Sequence, residues 1–173
     1  MAENKDEKIS LRPIKKSDMD DFMVWASDER VTHFCTWDSY TSRDEALHFL
    51  NNSAIPHPWY RAICVGDRAV GSISVTPGSG TRSSTAELGY VVAFEHWGKG
   101  VATEAVRIVA STIFQEWPLL QRLEAFVDPD NGGSQKVLEK AGFVREGLLR
   151  KYMAVKGKSR DRMVYSLLSS LHS

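Results

Sequence analysis

Apolar residues recur along this chain with two periods, and each change of period marks an element boundary. From Ile9 to Ile14 apolar and polar positions alternate up to Pro13, which predicts a first strand. Met19, Phe22, Met23 and Ala26 then recur at helical spacing, with Ser17 as the expected cap. A second helix is expected from Arg43 to Asn51, capped by Thr41 or Ser42, with Ala46, Leu47, Phe49 and Leu50 on its apolar side. The intervening stretch, Val31 to Tyr40, is rich in aromatics and poor in pattern.

Two β-prone runs, Trp59 to Val65 and Ala69 to Val75, meet at Gly66-Asp67-Arg68, a strong hairpin signal. After a Gly/Ser-rich loop from Pro77 to Ser84, strand character returns over Ala86 to Val92. From Gly100 the period becomes helical. Ala102, Ala105, Val106, Val109, Ile113 and Trp117 share one face, Glu104, Arg107, Ser111 and Gln115 lie largely opposite, and Pro118 ends the run. Arg122 to Val127 is a further strand, and Asn131 leads into a helix carrying Val137, Leu138 and Ala141 that closes at Gly142. Two more strands flank Lys156-Gly157-Lys158. The class is α/β, a mixed sheet flanked by helices.

Length and charge narrow the function. At 173 residues the chain suits one domain, expected over residues 9–173 behind a flexible tail, 1–8. Lys+Arg and Asp+Glu are both 22, so no net field draws nucleic acid or an anionic membrane, and an anion must be held by local geometry. Met1 to Lys8 lacks the apolar core of a signal peptide, and no run reaches the roughly 20 apolar residues of a bilayer span. A cytoplasmic location is expected, with nuclear entry left open. Cys35 and Cys64 sit in apolar company and read as buried, reduced thiols. His33, His48, His57, His96 and His172 lack ligand spacing, so no metal is expected.

The chemistry concentrates in two blocks. The first, Glu87-Leu-Gly-Tyr-Val-Val-Ala-Phe-Glu-His-Trp-Gly-Lys-Gly-Val-Ala-Thr-Glu-Ala, is a strand, a glycine turn and a long helix. A helix start offers unpaired N–H groups and the positive end of a dipole, and Gly98 and Gly100 let the backbone turn sharply beside an anion. The turn is a candidate pyrophosphate cradle, although such turns are also ordinary loop chemistry. A dinucleotide fingerprint would need glycine where Thr103 stands, and Gly98-Lys99-Gly100 is not a Walker A loop. The second block runs from Asn131 through Ser134 to Phe143, directly after a strand; a plain capped helix is its simplest account.

Taken together the blocks resemble the acetyl-CoA-binding core of the GNAT superfamily of N-acetyltransferases. The family's Gln/Arg-x-x-Gly-x-Gly/Ala signature falls on Trp97 to Ala102, loosest at Trp97. Glu87-Leu-Gly-Tyr90, Trp97-Gly-Lys-Gly100, Ala102-Thr-Glu-Ala105, Asn131-x-x-Ser134, Leu11-Arg12-Pro13 and Asp161-x-x-x-Tyr165-Ser-Leu are similar to the Rim-type branch, which acetylates ribosomal-protein N-termini. The resemblance spans roughly residues 9 to 168.

It implies a GNAT acyl-CoA N-acyltransferase fold: a mixed, mostly antiparallel central sheet, splayed at the cofactor site and flanked by helices. Backbone groups of Tyr90, Val91 and Val92 would pair with the pantetheine arm, and N–H groups of Gly98, Lys99, Gly100, Val101, Ala102 and Thr103 would hold the pyrophosphate. Asn131 would bond the arm, and Ser134 would stabilise or protonate the departing thiolate. N–H groups near Val92 would polarise the thioester carbonyl. The implied reaction moves acetyl from acetyl-CoA to a primary amine, a protein N-terminus or a small amine, through a ternary complex and without metal. Glu87 is the first candidate base, with Tyr152 and Asp161 as alternatives; a glutamate that some ribosomal-protein acetylators use aligns with Met153. Trp37 and Tyr40 are the expected wall of the acceptor site. Monomer and homodimer remain open. The rival class is a coenzyme-A-binding sensor or interaction domain with little or no turnover.

Overall fold

A computed structural model describes residues 8–170. The expected tail lies outside the described residues except for Lys8, and so does His172.

The strands are β1 (Ile9–Pro13), β2 (Tyr60–Val65), β3 (Arg68–Pro77), β4 (Thr85–Val92), β5 (Arg122–Val127), β6 (Val144–Val155) and β7 (Lys158–Leu168). The α-helices are α1 (Met19–Ala26), α2 (Glu29–Thr32), α3 (Arg43–Phe49), α4 (Val101–Glu116) and α5 (Gly132–Lys140). All seven strands form one sheet in the order β1-β2-β3-β4-β5-β7-β6. Every neighbouring pair is antiparallel except β4 and β5, which run parallel.

Strand alternation divides the core in two. Ile63, Ile73, Leu88, Leu123 and Tyr165 join one cluster with the apolar face of α4 and with Leu138 of α5. Ala62, Cys64 and Val91 point the other way, toward α1 to α3, where Phe22, Trp25, Ala46 and Leu50 are buried. Val109 and Ile113, fully buried in the first cluster, each contribute roughly 1.5–3 kcal/mol relative to exposure.

Three local expectations are corrected. The first helix is entered through a 3-10 turn, Lys16–Asp18, and Asp18 rather than Ser17 organises it. The Asp18 carboxylate accepts from Lys15 N at 2.8 Å and from both Arg12 terminal nitrogens at 2.8 and 2.7 Å; a serine hydroxyl could not bind that fork. The second helix is α-helical only to Phe49, and a π turn, Leu50–Ala54, continues it; of the two caps, Ser42 accepts from Glu45 N at 3.2 Å. The patternless aromatic stretch begins in α2, whose cap Asp28 accepts from Arg30 N at 3.0 Å.

Candidate active site

β4 pairs with β3 from Ala86 to Val92, Gly71↔Val92 to Pro77↔Ala86. With β5 it pairs only from Thr85 to Glu87, after which β5 stays with β7. From Leu88 to Val92 one edge of β4 therefore has no strand beside it among the described residues, and the N–H and C=O groups on that edge, apart from the Val92 carbonyl, can meet a ligand. Here lies a cleft of about 1110 Å³, with Leu88 to Val92 on one side and Ala125 to Val127 on the other.

The turn after β4 closes one end of the cleft. Gly98 and Gly100 have φ of +70° and +77°, a conformation that costs any other L-residue strain, and so the turn requires glycine there. The Trp97 indole N–H donates to the Val92 carbonyl at 2.8 Å, tying turn to strand; this gives the loosest position of the signature a structural task. The first helical bond of α4 runs from Glu104 N to Gly100 O at 3.0 Å. The N–H groups of Val101, Ala102 and Thr103 thus start the helix without intrahelical partners, and all three residues line the cleft, as do Gly98 and Gly100. Lys99 does not line it; its side chain is exposed between the two glycines.

At the opposite wall Asn131 Oδ1 accepts from Ser134 N at 3.1 Å, capping α5. The Tyr90 hydroxyl lies 2.6 Å from Ser134 Oγ and donates to Ser134 O at 3.2 Å. Burial pushes the Tyr90 phenol up to about 12, against a smaller opposing effect of the Ser134 hydrogen bond, so it stays protonated at neutral pH. Tyr165 holds α5 in place through Glu139 at 3.1 Å and Gln135 at 3.3 Å.

Glu87 and Tyr90 lie on opposite faces of β4, because odd and even positions alternate. Tyr90 packs on the α4/α5 cluster, whereas Val91, of the same parity as Glu87, packs toward α1 to α3. Glu87 lines the cleft, and its carboxyl is held above the usual range by desolvation first and by Glu124 second, with Arg82 opposing. Glu124 itself is buried and paired with Arg82 and, at 2.9 Å, with Arg122. Of the alternative bases, Tyr152 stacks on Phe126 at 5.0 Å and Asp161 accepts from Lys151 N at 2.7 Å. That bond supports a bulge in β6, where Lys151 has a φ of 49° and the register with β7 shifts between Leu149 and Met153. Neither Tyr152 nor Asp161 lines the cleft, whereas Met153 does.

Sequence reasoning missed a charged cluster below the floor. Buried Asp128 accepts from Arg160 at 2.7 Å and from buried Arg162 at 3.1 Å. Burial alone would raise its pKa, but the hydrogen bonds from Asp130 N and the arginines hold it below the usual range. No periodicity links residues 32 positions apart, so no sequence signal existed for this cluster.

The remaining wall is aromatic. Trp37 and Tyr40, the expected acceptor-side residues, stack at 5.6 Å and both line the cleft. Phe22, Trp25, Phe49 and Tyr60 line it too; their helical and strand spacing had marked Phe22 and Phe49 only as core. Cys35 is half-buried in this wall rather than fully buried, and burial pushes its thiol up to about 11. Among the described residues no group of His, Cys, Asp and Glu could hold a metal ion, and no helix is long and apolar enough to cross a membrane.

The model of the acetyltransferase (GNAT) domain family matches residues 8–144 of the sequence. The chain belongs to this family. It is 43% identical over 103 residues to the probable N-acetyltransferase YjcK of Bacillus subtilis, a match covering 60% of this chain and 56% of that protein. It is 31% identical over 168 residues to the uncharacterized N-acetyltransferase p20 of Bacillus licheniformis, covering 94% of this chain and 93% of the other. Among solved structures it is similar to RimJ of Mycobacterium smegmatis in complex with CoA-disulfide, with a TM-score of 0.76, 25% identity, and coverage of 93% of this chain and 82% of that one. The protein is a GNAT acetyltransferase with the mixed, mostly antiparallel sheet expected for it, and its relatives include the Rim type.

Proposed function

We propose that this acetyltransferase binds acetyl-CoA along the open edge of β4 and transfers the acetyl group directly to a primary amine, a protein N-terminus or a small amine. The observation that carries the proposal is the unpaired Leu88–Val92 edge leading straight to the glycine-permitted turn and the free N–H groups of α4. A pantetheine arm is an amide chain that can pair as a strand, and a pyrophosphate is an anion suited to a helix start. The cleft also exceeds the roughly 300–1,000 Å³ of common ligand pockets, which leaves room for two ligands together.

In this scheme Tyr90, Val91 and Val92 hold the arm, Gly98 and Gly100 to Thr103 hold the phosphates by backbone, and Asn131 shapes the start of α5. Glu87 accepts the proton of the attacking amine, directly or through water, from the α1–α3 face. Its raised pKa brings it nearer the value at which a carboxylate works as a base around neutral pH. Ser134 Oγ, on the other face of β4 beside the neutral Tyr90 phenol, hydrogen-bonds or protonates the departing thiolate. Similarity to a RimJ solved with CoA-disulfide supports the coenzyme.

Acetyl-CoA titration followed by acetyl transfer to a panel of amines and unblocked peptides tests the proposal. Binding with turnover is the expected result; binding without turnover of any acceptor would favour a coenzyme-A sensor instead.

A further inference from the structure

The acceptor side of the cleft is a continuous sheet of rings. Phe22 contacts Trp25 at 5.4 Å, Tyr40 at 5.6 Å and Phe49 at 5.7 Å; Tyr40 stacks on Trp37, and Phe49 meets Tyr60 at 6.0 Å. Among the described residues of α1, α2, α3 and their connections that line the cleft, none is an aspartate or glutamate. The ionisable groups in this wall are neutral: burial holds the Tyr60 phenol at about 12 and the Cys35 thiol at about 11. Charges of both signs lie near the wall without lining the cleft: Lys156 at the β6–β7 turn donates to Thr32 O at 2.8 Å, and Glu45 lies near Tyr40.

Three carboxylates line the rest of the cleft, and two are already matched. Asp128 is paired with Arg160 and Arg162, and Asp130 with Arg160 at 3.3 Å. Glu87 forms no ion pair among the described residues. The cleft therefore offers one unmatched carboxylate at its floor and an uncharged aromatic wall above it.

We infer that the acceptor is a small monoamine carried on an uncharged aromatic or branched aliphatic body, and that polyamines are rejected; this rests on the acetyl-transfer reading above. One carboxylate matches one amine. Each further ammonium of a polyamine would be desolvated against rings. Cation–π attraction to the rings returns less than burying an unpaired charge costs. An uncharged ring carries no charge to desolvate, and aromatic pairing favours it beyond area burial.

The test is steady-state kinetics on the full chain at saturating acetyl-CoA with phenethylamine, tryptamine, isoamylamine, spermidine and an unblocked tripeptide, beside calorimetric titration of acetyl-CoA. The arylalkylamines should exceed spermidine in kcat/KM by about 100-fold, the ratio expected for an unmatched buried charge. Trp37→Ala should raise KM for phenethylamine about 10-fold while acetyl-CoA affinity holds within about twofold, and Trp37→Phe should restore most of the loss. Spermidine or the tripeptide used as well as the best arylalkylamine, with coenzyme binding intact, overturns this inference alone. So does a Trp37→Ala effect equal for phenethylamine and spermidine. Coenzyme binding with no amine turned over overturns the acetyl-transfer reading, and this inference with it.

Discussion

On the side of the cleft bounded by β4, α4 and α5 the groups offered to a ligand are mostly backbone: an open strand edge, two glycines at positive φ and three N–H groups at a helix start. On the α1–α3 side they are side chains, rings brought together from α1, α3, β2 and the α2–α3 connection. The two constructions respond differently to change. A backbone site fails when the chain can no longer take its conformation or when a charge is added, and it tolerates most other substitutions. A side-chain site can be retuned one ring at a time.

The sharpest way to break the contrast is at the turn. Gly100→Glu places a side chain at a φ of +77° and a negative charge at the start of α4. Acetyl-CoA binding should fall below detection in calorimetry while the far-ultraviolet spectrum stays native. Affinity equal to that of the unchanged protein would remove the turn from the site.

Next comes Glu87→Gln, which should lower kcat/KM by roughly 10²–10⁴-fold. Because the Glu87 pKa is raised, the proposed base function should be lost as pH falls through a value above the usual carboxylate range, and that acid limb should vanish in the variant. The same shift has a stability sign. A carboxyl whose pKa is raised by folding makes the protein less stable as pH rises from its unfolded value through its folded one. Glu87→Gln should therefore melt no lower than the parent at pH 8, with any gain gone near pH 4. A lower melting point at pH 8 with normal kinetics would make Glu87 structural.

Ser134→Ala should have a smaller effect, lowering kcat by about 10-fold or more with little change in the KM for acetyl-CoA, since the thiolate forms only late in the reaction. A loss wholly in KM would make Ser134 a binding or helix-start residue.

The smallest effect separates the two sides most finely. Ser42 caps α3 and Asn131 caps α5, each accepting from a backbone N–H three residues on. Alanine at either position should cost about 1 kcal/mol in denaturant unfolding. Only Asn131→Ala should also weaken acetyl-CoA binding, and equal coenzyme affinity in the two variants would reduce Asn131 to a cap.

What the sequence determined by itself was local and periodic. The strands from Arg122 to Val127 and around Lys156–Lys158, the long helix ending before Pro118, and the Asn131 cap all follow from spacing and turn chemistry within a few residues. Gly98 and Gly100 were readable for the same reason, because a positive φ nearly demands glycine and so leaves its mark in the sequence. What only the tertiary structure decided was anything needing long-range pairing. The splay expected from the family resemblance takes its extent from β5 leaving β4 after Glu87, the pairing of Asp128 with Arg160 and Arg162 spans more than 30 positions, and the π turn after Phe49 and the Asp18–Arg12 fork depend on neighbours outside their own segments. Phe22, Phe49 and Tyr60 show the limit most plainly. A ring at helical or strand spacing has the same pattern whether it fills a core or lines a cleft, and only the packing of the elements around it settles which.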